Sequence, residues 1–344
     1  MSEDIQLLTQ RARTGDDAAL LMLGKRLLFG DSVRPAPQQG IACINEAARR
    51  ANAEALAFAA RLAAWGVFQP SDFTQAFDLL FRSAELGWAP AEAELRFLAR
   101  GEGCDWPRLR RAIDIDRWMA APARRLVSSR PRAFVFENFA APAECEWIID
   151  RLKGDLERAK IYRGVADAMV ADTRTNSEAG FMLKSSDVPM CLIRNRIAAA
   201  LNVSPAFCEV TKLLHYQPGE TFKLHSDYFD PAAPAMRAEI EQRGQRFATF
   251  LLYLNDGYEG GETDFPSAGF RFKGAKGDAL VFFSVDEHGA PDPMSMHAGS
   301  PPTSGEKWVL SQWIGSRAIN VFMTPGEPPP PLGPEWLMSF APAA

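Results

Sequence analysis

The chain has 344 residues, 47% hydrophobic and 24% charged, which excludes extended disorder and leaves room for two domains with real cores. Its formal net charge of −5, from 38 basic and 43 acidic residues, argues against a nucleic-acid binder, whose phosphate contacts need a basic excess. Five scattered cysteines with no Cys-x-x-Cys pair point to buried thiols in a reducing cytosol rather than to zinc or a disulfide framework.

The N-terminus, Met1-Ser2-Glu3-Asp4, lacks the basic region and apolar core of a signal peptide. The Ala-rich stretch 47–68 is broken by Arg49, Arg50 and Arg61, so no run reaches membrane-spanning length. A cytoplasmic protein without a membrane partner is expected. Small residues then recur every 36 positions: Ala12, Ala48 and Ala84; Gly15, Ala51 and Gly87; Ala19, Ala55 and Ala91; Leu27, Ala63 and Ala99. Within each copy they fall at helical spacing, and a proline break, Pro35 and Pro37 and then Pro70, precedes the second half of the copy. This period predicts a helical-repeat array over residues 8–103, with two complete repeats and a third helix. It resembles the Sel-type branch of tetratricopeptide-like repeats. The resemblance implies a concave surface for a peptide or protein partner; the alternative is a packing base for the rest of the chain. Residues 104–130 read as a linking helix and turn, with Arg108, Arg110, Arg111, Arg124 and Arg125 on a solvated face.

From Pro131 the character changes. A short strand over 134–139, a helix from Pro142 and a second helix over about 187–201 lead into four β-branched or aromatic runs: 210–214, 248–254, 279–283 and 308–314. Turns such as Asn255-Asp256-Gly257 separate them. The predicted class is therefore α+β: an N-terminal α-helical repeat array, then a sandwich or jelly roll with supporting helices. The boundaries expected are 1–103, 104–130, 131–320 and a Pro-rich tail over 321–344. In that tail Pro328–Pro331 form a stiff spacer, and Trp336, Leu337, Met338 and Phe340 are expected to dock on the protein's own surface.

All four histidines lie between His215 and His297. His225-Ser226-Asp227 places an imidazole and a carboxylate on one side of an extended segment, two of the three ligands of a non-haem Fe(II) facial triad. Alone, such a pair also arises as a strand-end hydrogen bond. His297 supplies a third ligand, and Lys307 follows across a Pro301-Pro302-Thr303-Ser304-Gly305 turn. A hairpin there would set Lys307 roughly opposite His297, where a cation suits the distal carboxylate of 2-oxoglutarate; otherwise Lys307 is a surface strand lysine. His215 is expected on the opposite face of its strand from Tyr216, and His288 in an exposed loop.

Residues 131–316 resemble the prolyl 4-hydroxylase-like branch of the 2-oxoglutarate/Fe(II) dioxygenases. The motifs run in order: Arg174-Thr175-Asn176; Tyr216, Gly219, His225 and Asp227; Arg243-Gly244-Gln245-Arg246 with Ala248-Thr249; Tyr253-Leu254-Asn255-Asp256; Glu259-Gly260-Gly261-Glu262-Thr263 with Phe265-Pro266; Gly277-Asp278-Ala279-Leu280; and His297-Ala298-Gly299 through Glu306-Lys307-Trp308 to Trp313. The resemblance implies a double-stranded β-helix with Fe(II) on His225, Asp227 and His297. It implies that Lys307 and Thr249 hold the distal carboxylate of 2-oxoglutarate, Tyr216 lines that pocket and Trp313 walls the site. It further implies O2 as co-substrate, ascorbate as reductant, and hydroxylation of a peptide or protein side chain coupled to release of succinate and CO2. Asp227 favours hydroxylation over halogenation, since related halogenases have Gly or Ala at that place. Arg174, Arg243 and Arg246 are candidate substrate contacts, and 228–245 is a candidate lid. Phe222 departs from the pattern, because prolyl hydroxylases usually carry tyrosine there. The alternatives are therefore a hydroxylase of a free amino acid or other small molecule, and a repeat-based interaction protein with an inactive oxygenase fold. The sequence does not determine oligomeric state.

Overall fold

The structure, a computed structural model, describes residues 5–162, 168–319 and 328–340. Its helices begin with three pairs: α1 (Ile5–Arg13) and α2 (Asp17–Phe29), α3 (Pro37–Arg49) and α4 (Ala53–Trp65), α5 (Phe73–Glu85) and α6 (Ala89–Ala99). The starts of α2, α4 and α6 lie 36 residues apart, so the period is that of a helix pair. Gly15, Ala51 and Gly87 sit in the turns inside the pairs, all at positive φ. Asp16 and Asn52 then cap the second helices by accepting the Ala19 and Ala55 N–H groups. Ala19, Ala55 and Ala91 are buried, which is what lets the helices approach closely. The tightest crossing joins α2 to α3, where a Cβ on Gly40 would lie 2.6 Å from the Gly24 carbonyl oxygen. The array thus holds three full pairs, not two and a third helix. The Pro35 and Pro70 breaks separate pairs, whereas the sequence reading placed them inside each repeat.

Two short helices follow, α7 (Trp106–Ala112) and α8 (Ile115–Met119), and the first compact unit runs to Met119 with Leu183–Ile193 grouped in it. Its two apolar clusters centre on Leu21, Ile44 and Leu56, and on Phe77, Leu95 and Trp118. The second unit holds Ala120–Met182, Arg194–Val321 and the residues from Gly326. It begins with β1 (Arg124–Ser129), paired to β2 (Arg132–Phe136), so residues 124–129 are a strand and not part of a linker.

Helix α9 (Pro142–Leu152) buries Cys145, Ile148 and Leu152. Short strands β3 (Glu157–Arg158), β4 (Ile161–Tyr162) and β5 (Ala168–Met169) precede β6 (Ser177–Phe181) and α10 (Val188–Ala200). Then come β7 (Thr211–Tyr216), β8 (Phe222–His225), α11 (Pro234–Arg243), β9 (Arg246–Tyr253), β10 (Glu259–Gly260), β11 (Thr263–Phe265), β12 (Phe270–Phe272) and β13 (Ala279–Phe283). The last elements are β14 (His297–Gly299), β15 (Pro302–Ser304), β16 (Lys307–Gly315) and α12 (Pro334–Met338).

Eight strands form the major sheet in the order β1-β2-β13-β9-β16-β7-β6-β3, and four form the minor sheet, β12-β11-β14-β8. Two antiparallel sheets with this crossing order make the double-stranded β-helix. Period-two alternation decides what faces the space between them. On β16 these are Lys307, Val309, Ser311 and Trp313; on β7, Leu214 and Tyr216; on β9, Thr249 and Leu251. Leu213, Phe250, Leu252 and Leu310 are buried on the other face. The tail aromatics pack within this unit. Phe340 lies against Phe134, Phe283 and Trp336, and the Trp336 indole N–H donates to the Leu201 carbonyl; Met338 alone of the four stays exposed. Among the described residues, no helix is long and apolar enough to cross a membrane.

Candidate active site

Two strands of the minor sheet bring together a group that could hold a metal ion. His225 ends β8 and His297 opens β14, and the two residues are direct antiparallel partners with ring centroids 4.3 Å apart. Asp227 follows two residues after His225, with Oδ1 3.7 Å from His225 Nε2 and Oδ2 3.7 Å from His297 Nε2. The possible ligand atoms of all three residues lie within 4.8 Å of one another. Each Nδ1–H donates to the carbonyl two residues earlier, His225 to Lys223 at 2.8 Å and His297 to Ser295 at 3.1 Å. This fixes the tautomer that leaves both Nε2 lone pairs facing the aspartate.

Burial, aided by the neighbouring His297, pushes His225 down to about 3, so its imidazole stays neutral and able to coordinate. Burial alone would raise Asp227, but the two histidines and the Thr249 hydroxyl outweigh it and hold the carboxylate below its ordinary value. Two imidazoles and one carboxylate are the donor set of an Fe(II) facial triad, and three ligands leave positions for other groups. The residues present fit the ion.

The remaining walls form a cleft enclosing about 470 Å³, its open mouth included. Lys307 lies in it, 3% exposed, with its ammonium 5.2 Å and 5.7 Å from the ring centroids of Tyr216 and Tyr253. It makes no hydrogen bond or ion pair among the described residues, and burial pushes it down to about 8. The Glu262 charge only partly opposes that fall, and a buried cation that no anion touches matches an anionic ligand. Nearby, Tyr216 is pushed up to about 12 by burial and stays a hydroxyl donor. Thr263, also in the cleft wall, shares a 2.8 Å hydrogen bond with the Tyr253 hydroxyl. Positive φ at Gly260 and Gly261 carries the chain past Lys307, where a Cβ on Gly261 would meet the lysine's Cδ at 3.4 Å.

The structure changes several sequence expectations. Lys307 does not face His297 across a hairpin: it pairs with Tyr216 in the major sheet, while His297 pairs with His225 in the minor one. The intervening β15 pairs instead with β10, so the connection crosses between sheets, and both side chains still reach one cleft. Thr249 is not at the Lys307 end. It pairs with Trp313, six residues or about 20 Å of extended strand from Lys307. Its hydroxyl donates to Asp227 Oδ2 at 2.6 Å, so it fixes the Asp227 carboxylate. The threonine near the lysine is Thr263, at the end of the Glu259-Gly260-Gly261-Glu262-Thr263 motif.

Among the arginines, Arg174 lines the cleft, lying 4.5 Å over Phe222 and bonded to Glu178 at 2.7 Å. Arg246 is committed to a bidentate pair with Glu209, at 2.6 and 2.8 Å, and stacks on Trp313 at 3.9 Å. Arg243 is half exposed on α11, paired with Glu239, and does not line the cleft. Phe222 stacks on His225 with ring centroids 3.5 Å apart. The 228–245 segment is held at its base, because the Gln245 amide both accepts from and donates to the Phe229 backbone at 2.7 Å. His215 points outward, stacked on Trp308 and 3.0 Å from Glu306, and His288 is exposed.

Residues 211–315 match the 2OG-Fe(II) oxygenase superfamily. The chain is similar to prolyl 4-hydroxylase 2 of Arabidopsis thaliana, 32% identical over 220 residues covering 58% of this chain and 72% of that protein. It is also similar to prolyl 4-hydroxylase 1 of the same plant, 33% identical over 210 residues covering 57% and 72%. Among solved structures it is similar to the viral collagen prolyl hydroxylase of Paramecium Bursaria Chlorella virus-1, with TM-score 0.40, 26% identity and coverage of 53% and 94%. It is also similar to a Sel1 repeat protein from Oxalobacter formigenes, with TM-score 0.28, 25% identity and coverage of 32% and 87%. The level and extent of likeness to the plant proteins place the chain in the prolyl 4-hydroxylase-like family of 2-oxoglutarate/Fe(II)-dependent dioxygenases.

Proposed function

We propose that the chain hydroxylates a peptide or protein side chain, with 2-oxoglutarate converted to succinate and CO2 and ascorbate as reductant. The observation that carries this reading is the buried, unpaired Lys307 in the same cleft as the His225–Asp227–His297 group. When bound there, Fe(II) and 2-oxoglutarate supply an oxidation by O2 strong enough to convert a C–H bond into an alcohol.

The chain's own groups divide the remaining work. His225, Asp227 and His297 hold the ion, with Thr249 orienting Asp227 and two backbone carbonyls orienting the imidazoles. Lys307, Tyr216 and Thr263 hold the distal carboxylate: the Lys307 ammonium neutralises it and the Tyr216 hydroxyl donates a hydrogen bond to it. Leu214, Leu251 and Val309 keep water out between the two polar ends. Trp313, fixed by Arg246 stacked on it, walls the substrate side. The helical repeats offer a further surface for a protein partner.

A second reading, hydroxylation of a free amino acid or other small molecule, is favoured by Phe222. Its ring lies flat on His225 where prolyl hydroxylases carry tyrosine, so no hydroxyl reaches substrate from that side. The deciding assay measures succinate with Fe(II), 2-oxoglutarate and either prolyl peptides or free amino acids. Turnover stimulated by peptides supports the first reading, and stimulation by free amino acids alone supports the second. Absence of coupled and uncoupled turnover in the wild type rejects both. His225→Ala is expected to abolish succinate formation.

A further inference from the structure

Beyond the metal group, the major sheet presents a second polar wall. Ser311 on β16 stands directly opposite Lys212 on β7, and Trp313 follows two residues later on the cleft side. Ser311 is 5% exposed and lines the cleft, and its hydroxyl has no hydrogen-bond partner among the described residues. That hydroxyl is open to the cleft, where a ligand can meet it.

The charges around it do not cancel. Glu178 is gripped by Lys212 at 2.5 Å and by Arg174 at 2.7 Å. Glu209 is gripped by Arg246, which stacks on Trp313, and Lys212 lies 5.7 Å over the same indole. Lys212 and Arg174 therefore share the single carboxylate of Glu178, while Arg246 is balanced by Glu209 and the nearby Asp227; Lys212, Arg174, Arg246, Glu178 and Glu209 are at most 15% exposed. Burial holds Lys212 below its ordinary value; Glu178 opposes that fall, and the Arg174 and Arg246 charges add to it. Trp313 pairs with Thr249, whose hydroxyl holds Asp227, so this wall adjoins the metal group.

We propose that Lys212, Ser311 and Arg174 form an anion subsite that takes a carboxylate of the substrate. The inference rests on the hydroxylase reading and adds a substrate class to it: a molecule with a carboxylate near the oxidised carbon. That carboxylate belongs either to a free or C-terminal amino acid, or to an acidic side chain next to the target in a peptide.

Two matched pairs of probes separate the sources: N-acetylproline against N-acetylprolinamide, and Ac-Pro-Glu-NH2 against Ac-Pro-Gln-NH2. Their binding is measured by calorimetry on the full chain with Fe(II) and 2-oxoglutarate under argon. In the pair that carries the right source, the charged member is expected to bind about tenfold more tightly, the yield of one charge-assisted contact. Lys212→Gln should remove that preference, Lys212→Arg should retain it, and Ser311→Ala should reduce it. Circular dichroism of each variant establishes that it is folded. Equal binding within both pairs, no binding of any probe, or an undiminished preference in folded Lys212→Gln overturns the subsite. Succinate formation is scored separately: its presence alongside equal binding refutes the subsite alone, whereas its absence refutes the hydroxylase reading.

Discussion

Lys307 sets two measurable quantities against each other. The fall from 10.5 to about 8 corresponds to about 3 kcal/mol against the charged form in the folded chain. Replacing Lys307 by Met keeps the length of the stem against Tyr216 and Tyr253 and removes that burden. The protein without ligands is then expected to gain about 3 kcal/mol, on the order of 6–12 °C in Tm for a unit of this size. Affinity for 2-oxoglutarate should move the other way. Deleting one partner of a buried charge pair costs about 2–5 kcal/mol, a rise in KM of about 30-fold to 4 × 10³-fold.

The pH dependence follows from the same displacement. Because the folded pKa lies below the unfolded one, the folded chain releases this proton first. Stability from this group is lowest below about pH 8 and grows as pH rises towards 10.5. The KM for 2-oxoglutarate rises over the same window, since the ammonium that binds it is lost, and the Lys307→Met profile should be flat there. The assays are thermal unfolding without ligands and succinate formation against 2-oxoglutarate concentration. A Lys307→Met protein that is less stable than wild type, with unchanged KM, would show an ordinary structural lysine and refute the reasoning.

Thr249→Val preserves shape and removes the 2.6 Å bond to Asp227, so the Fe(II) dissociation constant should rise about 10–100-fold. A fall in 2-oxoglutarate affinity with unchanged metal affinity would return Thr249 to the carboxylate. Phe340→Ala empties a site walled by Phe134, Phe283 and Trp336 and should cost about 3–5 kcal/mol in urea unfolding. A loss under about 0.5 kcal/mol, the range of surface substitutions, would show that the tail is not integral to the fold. Gly40→Ala drives a methyl to 2.6 Å from the Gly24 carbonyl oxygen and should destabilise the helical array by about 1–3 kcal/mol, read from helical circular dichroism on heating. An unchanged transition would mean that the α2–α3 crossing is looser than its geometry.

What was legible in the sequence was whatever a single element carries. The 36-residue period survives because each helix pair repeats the same buried alanines, and the alternation in β9 and β16 survives because one sheet face meets the cleft and the other the core. His225 and Asp227 could be paired from spacing alone, since both sit on one short segment. The phase of the repeats was not legible, because a proline break looks alike inside a pair and between pairs. Pro35 and Pro70 turned out to lie between them.

Which strand neighbours which is a property of the whole sheet, and the two threonines show the consequence. Thr249 and Thr263 each follow a motif that resembles the family's, and nothing local distinguishes a residue that steadies the metal ligand from one near the distal carboxylate. The difference is register: Thr249 lies opposite Trp313, while Thr263 bonds Tyr253, which lies opposite Val309 and next to Lys307's partner position. The same reason undid the expected hairpin between His297 and Lys307. Ten residues join them, but β15 spends part of that length pairing with β10, which delivers the lysine to the facing sheet. A cleft between two sheets needs one wall from each. A metal group on the minor sheet and an ammonium on the major one can therefore hold opposite ends of one elongated dicarboxylate, which a single hairpin with both groups in register could not span.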